Sequence, residues 1–294
     1  MRKLIDFFAS IYNPIEKFWE GEKNHKILGT GIVLSFILSL VLIQLNHWNL
    51  LPNFINPYIS HNYFIAIEVA FIVLLFFEVM SLIFTLPYSV AKSLHKQFEI
   101  ISLILLRNAF KEFSHFVEPI DWTNNYDTIL HIFSDSFSAL FVFAGLFFIR
   151  SIRTSRKITI GEKEQERFSQ IKKMTSVLLM IAFIILAFQD AFLFLTHADT
   201  FKFFPAFYTI LIFSDILMVL VSLRYSYNYK VLFRNSGFAL ATVLLRLALS
   251  AEVYYNAVIA IVSVIFVFFL TLVYQKIQEK EIELKAKKIN NFDE

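Results

Sequence analysis

Two apolar stretches of the chain each contain a single arginine near their centre. The first, EIISLILLRNAF, spans residues 99–110, and the second, FALATVLLRLAL, spans residues 238–249. Arg107 and Arg246 each follow a Leu-Leu pair inside these runs. An arginine inside a membrane helix is costly and almost always has a partner. The fold therefore depends on whether these runs cross a membrane and on which residue pairs with each arginine.

The composition places the chain among membrane proteins. It has 294 residues, of which 57% are hydrophobic and 17% are charged, and its mean hydropathy is +0.61. Apolar runs of about 20 residues recur, which favours an all-α, polytopic membrane bundle. The runs are continuous rather than alternating, which disfavours strands. The chain has no cysteine, which excludes disulfides and thiolate catalysis.

Eight membrane spans are predicted, four on each side of a basic linker. They are residues 27–45, 63–86, 97–113, 125–149, 174–195, 203–223, 236–251 and 255–275. The third and seventh are short and carry the two arginines. Keeping all eight puts every lysine- and arginine-rich segment on one side, which the positive-inside rule makes cytoplasmic. Both termini are then expected in the cytoplasm of a cell-membrane protein, which would be the inner membrane of a bacterium.

The remaining segments flank these spans. Residues 1–26 are predicted to form an interfacial amphipathic helix, because one helical face collects apolar side chains. These are Leu4, Phe8, Ile11, Ile15 and Phe18. The first four-helix unit covers residues 27–150, the basic cytoplasmic linker 151–172, the second unit 173–275, and a charged helical tail 276–294.

A basic cluster follows the fourth span. It consists of Arg150, Arg153, Arg156 and Lys157. Such a cluster at the cytoplasmic end of a membrane helix is expected to bind anionic lipid headgroups. The bilayer is therefore the partner that the sequence predicts. A homo-oligomer is compatible with the sequence, and nothing in it indicates a nucleic acid.

The two units align with each other. FFEVMSLIFTLPYS, residues 76–89, matches FSDILMVLVSLRYS, residues 213–226, so that Glu78 falls on Asp215. The acid precedes the arginine by 107 − 78 = 29 residues in the first unit and by 246 − 215 = 31 in the second. Both units start on the inside, which predicts a parallel repeat about an axis along the membrane normal.

The repeated unit resembles the PsiE (phosphate-starvation-inducible) membrane proteins, which are small four-helix proteins. Their middle part has an acid in an aromatic-rich helix, then a basic connection, then an arginine deep in the next helix. The matching positions are Glu78, Lys92, Lys96 and Arg107, and again Asp215, Lys230, Arg234 and Arg246. The resemblance covers roughly residues 63–113 and 203–275. It implies a membrane location and a helical fold but no reaction.

Two features depart from that family, namely the second copy and the longer 114–124 loop. The order of helices is also similar to a voltage-sensor domain. The arginines spaced by three, which begin at Arg150, lie at or beyond the inner end of their helix. A gating ladder should lie within the membrane field, so the position of these arginines departs from the voltage-sensor pattern.

Helix geometry places the acid and the arginine of each unit at the same depth. Counting residues from the inner ends puts Glu78 and Arg107 each ~14 Å deep, near the bilayer midplane. Asp215 and Arg246 give the same result. We therefore predict the ion pairs Glu78–Arg107 and Asp215–Arg246. Either they are salt bridges that set helix register, or they line an ion or proton path.

Other acids fall in the outer half of the spans. Glu68, Asp135 and Asp190 have no obvious basic partner in the sequence, and His131 shares a helix face with Asp135. Together they predict an acidic outer vestibule that would concentrate cations. The alternatives are that these acids are hydrogen-bonded, protonated, or level with the headgroups.

The function follows from these features and from the missing motifs. The chain has no Walker loop, no Gly-x-Gly-x-x-Gly and no His-Glu-x-x-His, so we expect neither an enzyme nor a cofactor or metal site. The sequence favours a channel or transporter for cations or protons. The alternative is a non-transporting membrane scaffold, sensor or assembly subunit whose ion pairs are structural.

Overall fold

A computed structural model describes residues 2–52, 59–88, 90–116, 125–151, 162–196, 203–223 and 229–290. Within these ranges the chain is helical and contains no strand. The helices are α1 (Arg2–Trp19), α2 (Glu22–His47), α3 (Ile65–Thr85), α4 (Val90–Lys111), a 3-10 helix (Glu112–His115), α5 (Tyr126–Ser151), α6 (Glu162–Leu195), α7 (Phe203–Leu223), α8 (Tyr229–Ser250) and α9 (Tyr255–Asn290). The predicted all-α class is confirmed for the described residues.

Seven of these helices are long and apolar enough to cross a membrane, namely α2, α3 and α5 to α9. This finding supports the predicted membrane bundle. Among the helices that correspond to the eight predicted spans, α4 is the one that falls short, because its first half is polar and contains Lys92, His95, Lys96 and Gln97. Composition therefore leaves the third predicted span undecided, and its packing has to be considered instead.

The helix α4 runs antiparallel to α3 along most of its length. Three contacts follow one another from one end of α3 to the other: Thr85 with Gln97 at 3.4 Å, Glu78 with Arg107 at 2.6 Å, and Glu68 with Lys111 at 3.3 Å. We name the end at Thr85 the inner end, because the sequence predicts that it faces the cytoplasm, and the end at Glu68 the outer end. A helix paired with α3 in this way has the same extent along the bundle axis.

The core lies between α3, α4 and α5 on one side and α6 to α9 on the other. There α4 packs against α8, and α5 packs against α9. Fully buried aliphatic side chains fill this region, among them Leu82, Ile101, Leu105, Leu211 and Leu245. The glycine at position 145 lets α5 approach α9 closely, since a Cβ placed there would lie 2.1 Å from Val264 Cγ1.

The outside of the bundle is as apolar as the core. Large hydrophobic side chains are exposed on several helices, including Leu34, Phe137, Phe147, Phe188 and Phe213. An exposed apolar surface of this size on a soluble protein would mark a contact site. Around a bundle of long apolar helices it is the surface expected to face acyl chains.

The N-terminal helix packs against the bundle instead of lying free. Tyr12 donates a hydrogen bond to the carbonyl oxygen of Phe84 at 3.1 Å, and Trp19 Nε1 donates to Ser81 Oγ at 3.0 Å. Lys173 Nζ of α6 donates to Asn13 Oδ1 at 2.7 Å. The helix α1 therefore joins the inner ends of α3 and α6.

The predicted apolar face of α1 is partly wrong. Phe8, Ile11 and Ile15 do pack against the buried cluster around Tyr12. Phe18, however, is 67% exposed, and Trp19 takes its place in the contact. At 100° per residue, Trp19 lies roughly 20° from Phe8 around the helix, and its hydrogen bond to Ser81 holds it on that face. The side chain of Leu4 lies outside the described residues.

Two helices run across predicted segment boundaries. The helix α6 begins at Glu162, so the later half of the predicted 151–172 linker is helical and continuous with the next span. The helix α9 continues from the last span to Asn290, so the tail extends that helix. The predicted headgroup anchor lies outside the described residues, both at Arg153, Arg156 and Lys157 and at the side chain of Arg150.

The close approach of α5 and α9 can be tested with Gly145→Leu. A leucine there has to displace the stiff side chain of Val264, and overpacking of this kind costs about 1–3 kcal/mol. We expect a lower thermal unfolding midpoint for the purified protein in detergent. Gly31→Leu is the matched control, because a Cβ at Gly31 meets nothing within 4 Å. Equal midpoints for the two variants would contradict the α5–α9 contact.

Candidate functional site

The lone arginines of the two apolar stretches, Arg107 and Arg246, are buried and paired. Arg107 Nη1 lies 2.6 Å from Glu78 Oε2, and Arg246 Nη1 lies 2.6 Å from Asp215 Oδ2. The arginine side chains are 5% and 0% exposed. Both predicted ion pairs are confirmed. Each joins two consecutive antiparallel helices, α3 with α4 and α7 with α8.

The second pair is the more enclosed of the two. Arg246 also donates to the carbonyl oxygen of Leu211, and Thr242 Oγ1 donates to Asp215 Oδ2 at 3.1 Å. Nε and Nη2 of Arg246 have no hydrogen-bond partner among the described residues. A buried donor without a partner is costly. The guanidinium of Arg246 is therefore held in place at the cost of two nitrogen atoms that make no hydrogen bond among the described residues.

Apolar side chains surround both pairs. Val79, Ile104, Leu211 and Leu245 lie within a turn of the paired residues and are at most 1% exposed. A low-dielectric environment strengthens the attraction within each pair, and it also raises the cost of removing either charge from water. The burial of one partner therefore depends on the other.

A large cavity lies beside the first pair, between α2, α3 and α4. We name it the Glu78 cavity, and its volume is about 480 Å³. Its polar lining consists of Glu20, His25, Glu78, Ser81, Thr85, Tyr88, Lys96 and Glu99. Arg107 does not line it. The carboxylate of this pair thus meets open space, while the guanidinium lies behind it in the core.

A smaller cavity lies beside the second pair, between α4, α6, α7 and α8. We name it the Asp215 cavity, and its volume is about 70 Å³, enough for a few water molecules. Its polar lining consists of Ser93, Gln97, Lys172, Asp215, Ser222, Asn235 and Thr242. Arg246 does not line it. Again the acid faces the cavity and the arginine does not.

The two cavities use matching positions of the sequence alignment. A shift of 215 − 78 = 137 residues takes Glu78, Ser81 and Thr85 onto Asp215, Met218 and Ser222. A shift of 246 − 107 = 139 residues takes Lys96, Glu99, Ile100 and Leu103 onto Asn235, Phe238, Ala239 and Thr242. Every one of these residues lines its own cavity. The alignment thus relates the residues that line the two cavities as well as the paired charges.

The two cavities differ in the side chains that line them from α6 and from α2. Lys172 enters the Asp215 cavity from α6, where it is buried and donates a hydrogen bond to the carbonyl oxygen of Tyr88 at 2.9 Å. On the corresponding side of the Glu78 cavity, α2 presents Leu28, Gly29 and Ile32. Sequence reasoning assigned Lys172 to a solvated linker and missed this role. Its position at the start of a long apolar run was the available signal.

The outer acids are held by partners that the sequence did not indicate. Glu68 lies 3.3 Å from Lys111 Nζ, and Asp135 Oδ1 accepts a hydrogen bond from Asn256 Nδ2 at 2.8 Å. Glu68 thus has a basic partner that the sequence did not indicate, and Asp135 is hydrogen-bonded, as one of the alternatives for these acids predicted; both partners come from other helices. His131 Nδ1 lies 3.2 Å from Glu112 Oε2.

The predicted outer vestibule is only partly assembled. Asp190 lies on α6 and makes no hydrogen bond or ion pair with Glu68, His131 or Asp135 in the part of the chain that the structure describes. The other three lie at the outer end of α3 and α5. No group of three or more His, Cys, Asp or Glu residues suited to a metal ion occurs among the described residues.

The fold and the site define a class: an all-helical membrane protein with two buried acid–arginine pairs, each beside a cavity. Comparison with family models, with curated proteins and with solved structures finds no match for the chain. The similarity to the PsiE proteins thus stays a prediction that rests on the residues quoted above.

The mutual dependence of the paired charges predicts the result of a double-mutant cycle. Arg246→Gln leaves Asp215 buried without its counter-charge, which costs about 3–5 kcal/mol. We expect Asp215→Asn/Arg246→Gln to recover most of that loss. Lys111→Gln, which breaks a half-exposed pair, should cost less than about 1 kcal/mol. Thermal unfolding midpoints in detergent test this, and a double variant no more stable than Arg246→Gln would refute it.

Proposed function

We propose that this protein is an integral membrane channel or transporter for cations or protons, and that Glu78 and Asp215 bind the ion in passage. The observation that carries the proposal is the orientation of each pair. In both, the carboxylate lines a cavity and the arginine is sealed behind it. An intramembrane acid that faces open space is suited to binding an ion, since it can be reached.

The proposal includes the predicted topology of eight spans in two parallel units with cytoplasmic termini. The antiparallel register of α3 and α4 supports the third span, because a helix paired along most of α3 crosses whatever α3 crosses. Exposed apolar residues on α4, Leu103, Leu106 and Phe110, are consistent with lipid contact. The contacts of α4 with α8 and of α5 with α9 join equivalent helices, as a two-fold axis between the units would.

The arginines would act as fixed counter-charges. Each favours the ionised form of its acid and competes with an arriving cation or proton for the same carboxylate. Binding of the cation weakens the pair, and release restores it. The outer contacts Glu68–Lys111 and Asp135–Asn256 lie beyond the cavities, so passage also requires a rearrangement at the outer end, as in alternating access.

The second candidate is a non-transporting membrane scaffold, sensor or assembly subunit. The small volume of the Asp215 cavity and the presence of Lys172 in it favour a structural role for that pair. In this case both pairs only set the register of their helices. Under either proposal the chain is not an enzyme, its surroundings are a cell membrane with anionic lipids, and a homo-oligomer remains compatible with its apolar surface.

Flux measurements in proteoliposomes separate these candidates. Under a voltage or pH gradient we expect the wild-type protein to conduct Na⁺, K⁺ or H⁺, and Glu78→Gln to reduce that flux roughly tenfold or more, because the ion loses its counter-charge. The same loss is expected for Asp215→Asn.

Glu279→Gln is the matched control for this measurement. Glu279 is exposed on α9 and lines neither cavity, so the flux of this variant should equal that of the wild type. A wild-type protein that carries none of these ions under any gradient would rule out transport of Na⁺, K⁺ and H⁺. A folded Glu78→Gln protein with undiminished flux would rule out the assigned role of the acid.

A further inference from the structure

We propose that the Glu78 cavity binds a hydrophobic organic cation, with Glu78 as its counter-charge and aromatic rings as its walls. The inference rests on the proposed function in that it names the class of substrate for one of the two sites. Four properties of the cavity lead to it, namely its size, its walls, its charge and its opening.

The size suits a small organic molecule better than a bare metal ion. At about 480 Å³ the cavity falls within the range of roughly 300–1,000 Å³ that is usual for drug-sized ligands. The Asp215 cavity, at about 70 Å³, has no room for such a ligand. The two acids therefore differ in what can reach them, although they occupy matching positions.

The walls are aromatic and held in place. The ring of Trp19 stacks on Phe84, with 5.5 Å between ring centroids, and lies 5.7 Å from the centroid of Phe77. Its Nε1 hydrogen bond to Ser81 fixes the indole. Aromatic faces attract cations through their quadrupole, and indole does so best. Aliphatic residues complete the walls, namely Leu28, Ile32, Leu74, Ile100 and Leu103.

The charge of the lining favours a cation. Three acids line the cavity, Glu20, Glu78 and Glu99, against a single lysine, Lys96, which is paired with Glu99 at 3.1 Å. Glu78 binds Arg107 through Oε2, and within the described residues no donor bonds to its Oε1. One carboxylate oxygen in the deep part of the cavity is thus available to a ligand.

The opening is lateral as well as towards the inner end. Leu103 of α4 lines the cavity and is 56% exposed. On the facing helix, a Cβ at Gly29 would meet nothing within 4 Å. The gap between α2 and α4 therefore leads from the cavity to the apolar surface of the bundle. A hydrophobic cation that partitions into a bilayer would enter by this route.

The test measures binding of tetraphenylphosphonium to the full-length protein in detergent by equilibrium dialysis. We expect saturable binding that ethidium displaces. Glu78→Gln should weaken the binding roughly tenfold or more, because the ligand loses its counter-charge. Gly29→Phe, which fills the cavity and changes no charge, should weaken it as strongly.

Two controls separate the site from general effects. Glu68→Gln removes an acid from α3 outside the cavity, and Gly31→Phe adds a ring to α2 at a residue that does not line it; both should bind as the wild type does. The uncharged triphenylphosphine oxide should not bind. Should Glu78→Gln fail to fold, as its unfolding midpoint would reveal, Gly29→Phe still decides the result.

The failures of this inference and of the proposed function are distinguishable. Absence of saturable binding, equal binding by Gly29→Phe, or equally tight binding of the uncharged compound would overturn the inference, the last outcome indicating a groove for lipid chains. Ion flux without tetraphenylphosphonium binding would overturn the inference alone. Binding without flux of any ion would overturn the transport function and leave the binding site.

Discussion

The burial of two arginines among apolar helices is the constraint on which the rest of the structure depends. A guanidinium cannot lose its proton to escape burial, as a lysine can, so it needs a carboxylate at the same depth. Arg107 and Arg246 each find one on the preceding helix. A shift of either helix by one turn would leave two uncompensated charges, and the pairs thereby set the register of α3 with α4 and of α7 with α8.

The same pairs occupy the boundary between core and open space. Each arginine lies in the core, where it is fixed, and each acid lies on a cavity wall, where it can be reached. A purely structural ion pair needs only the fixed arginine in the core, whereas an ion-binding site also needs an acid that can be reached. The two sites differ in this second property, since Lys172 lines the smaller cavity while α2 leaves the larger one open. The larger cavity therefore has room for a drug-sized molecule, and the smaller one does not.

Much of the fold was predictable because it depends on short-range properties. Hydropathy over some 20 residues locates a membrane helix, and the rise per residue converts sequence position into depth. These rules are enough to pair Glu78 with Arg107, because the two residues lie at equal depth on consecutive antiparallel helices. Composition alone did not identify α4 as a membrane span, because the first half of this helix is polar. The neighbouring helices cover much of α4, so it need not be apolar throughout.

The sequence by itself determined the helical class, the order of the helices and both ion pairs, because consecutive antiparallel helices necessarily bring nearby segments together. Only the tertiary structure decided which distant groups meet. Asn256 reaches Asp135 across 121 residues, and Trp19 reaches Ser81 across 62. The rotation of each helix about its axis and the packing of one unit on the other set these contacts and both cavities. Neither helix rotation nor the packing between units can be predicted from a short segment of sequence, since each depends on the side chains of several helices at once.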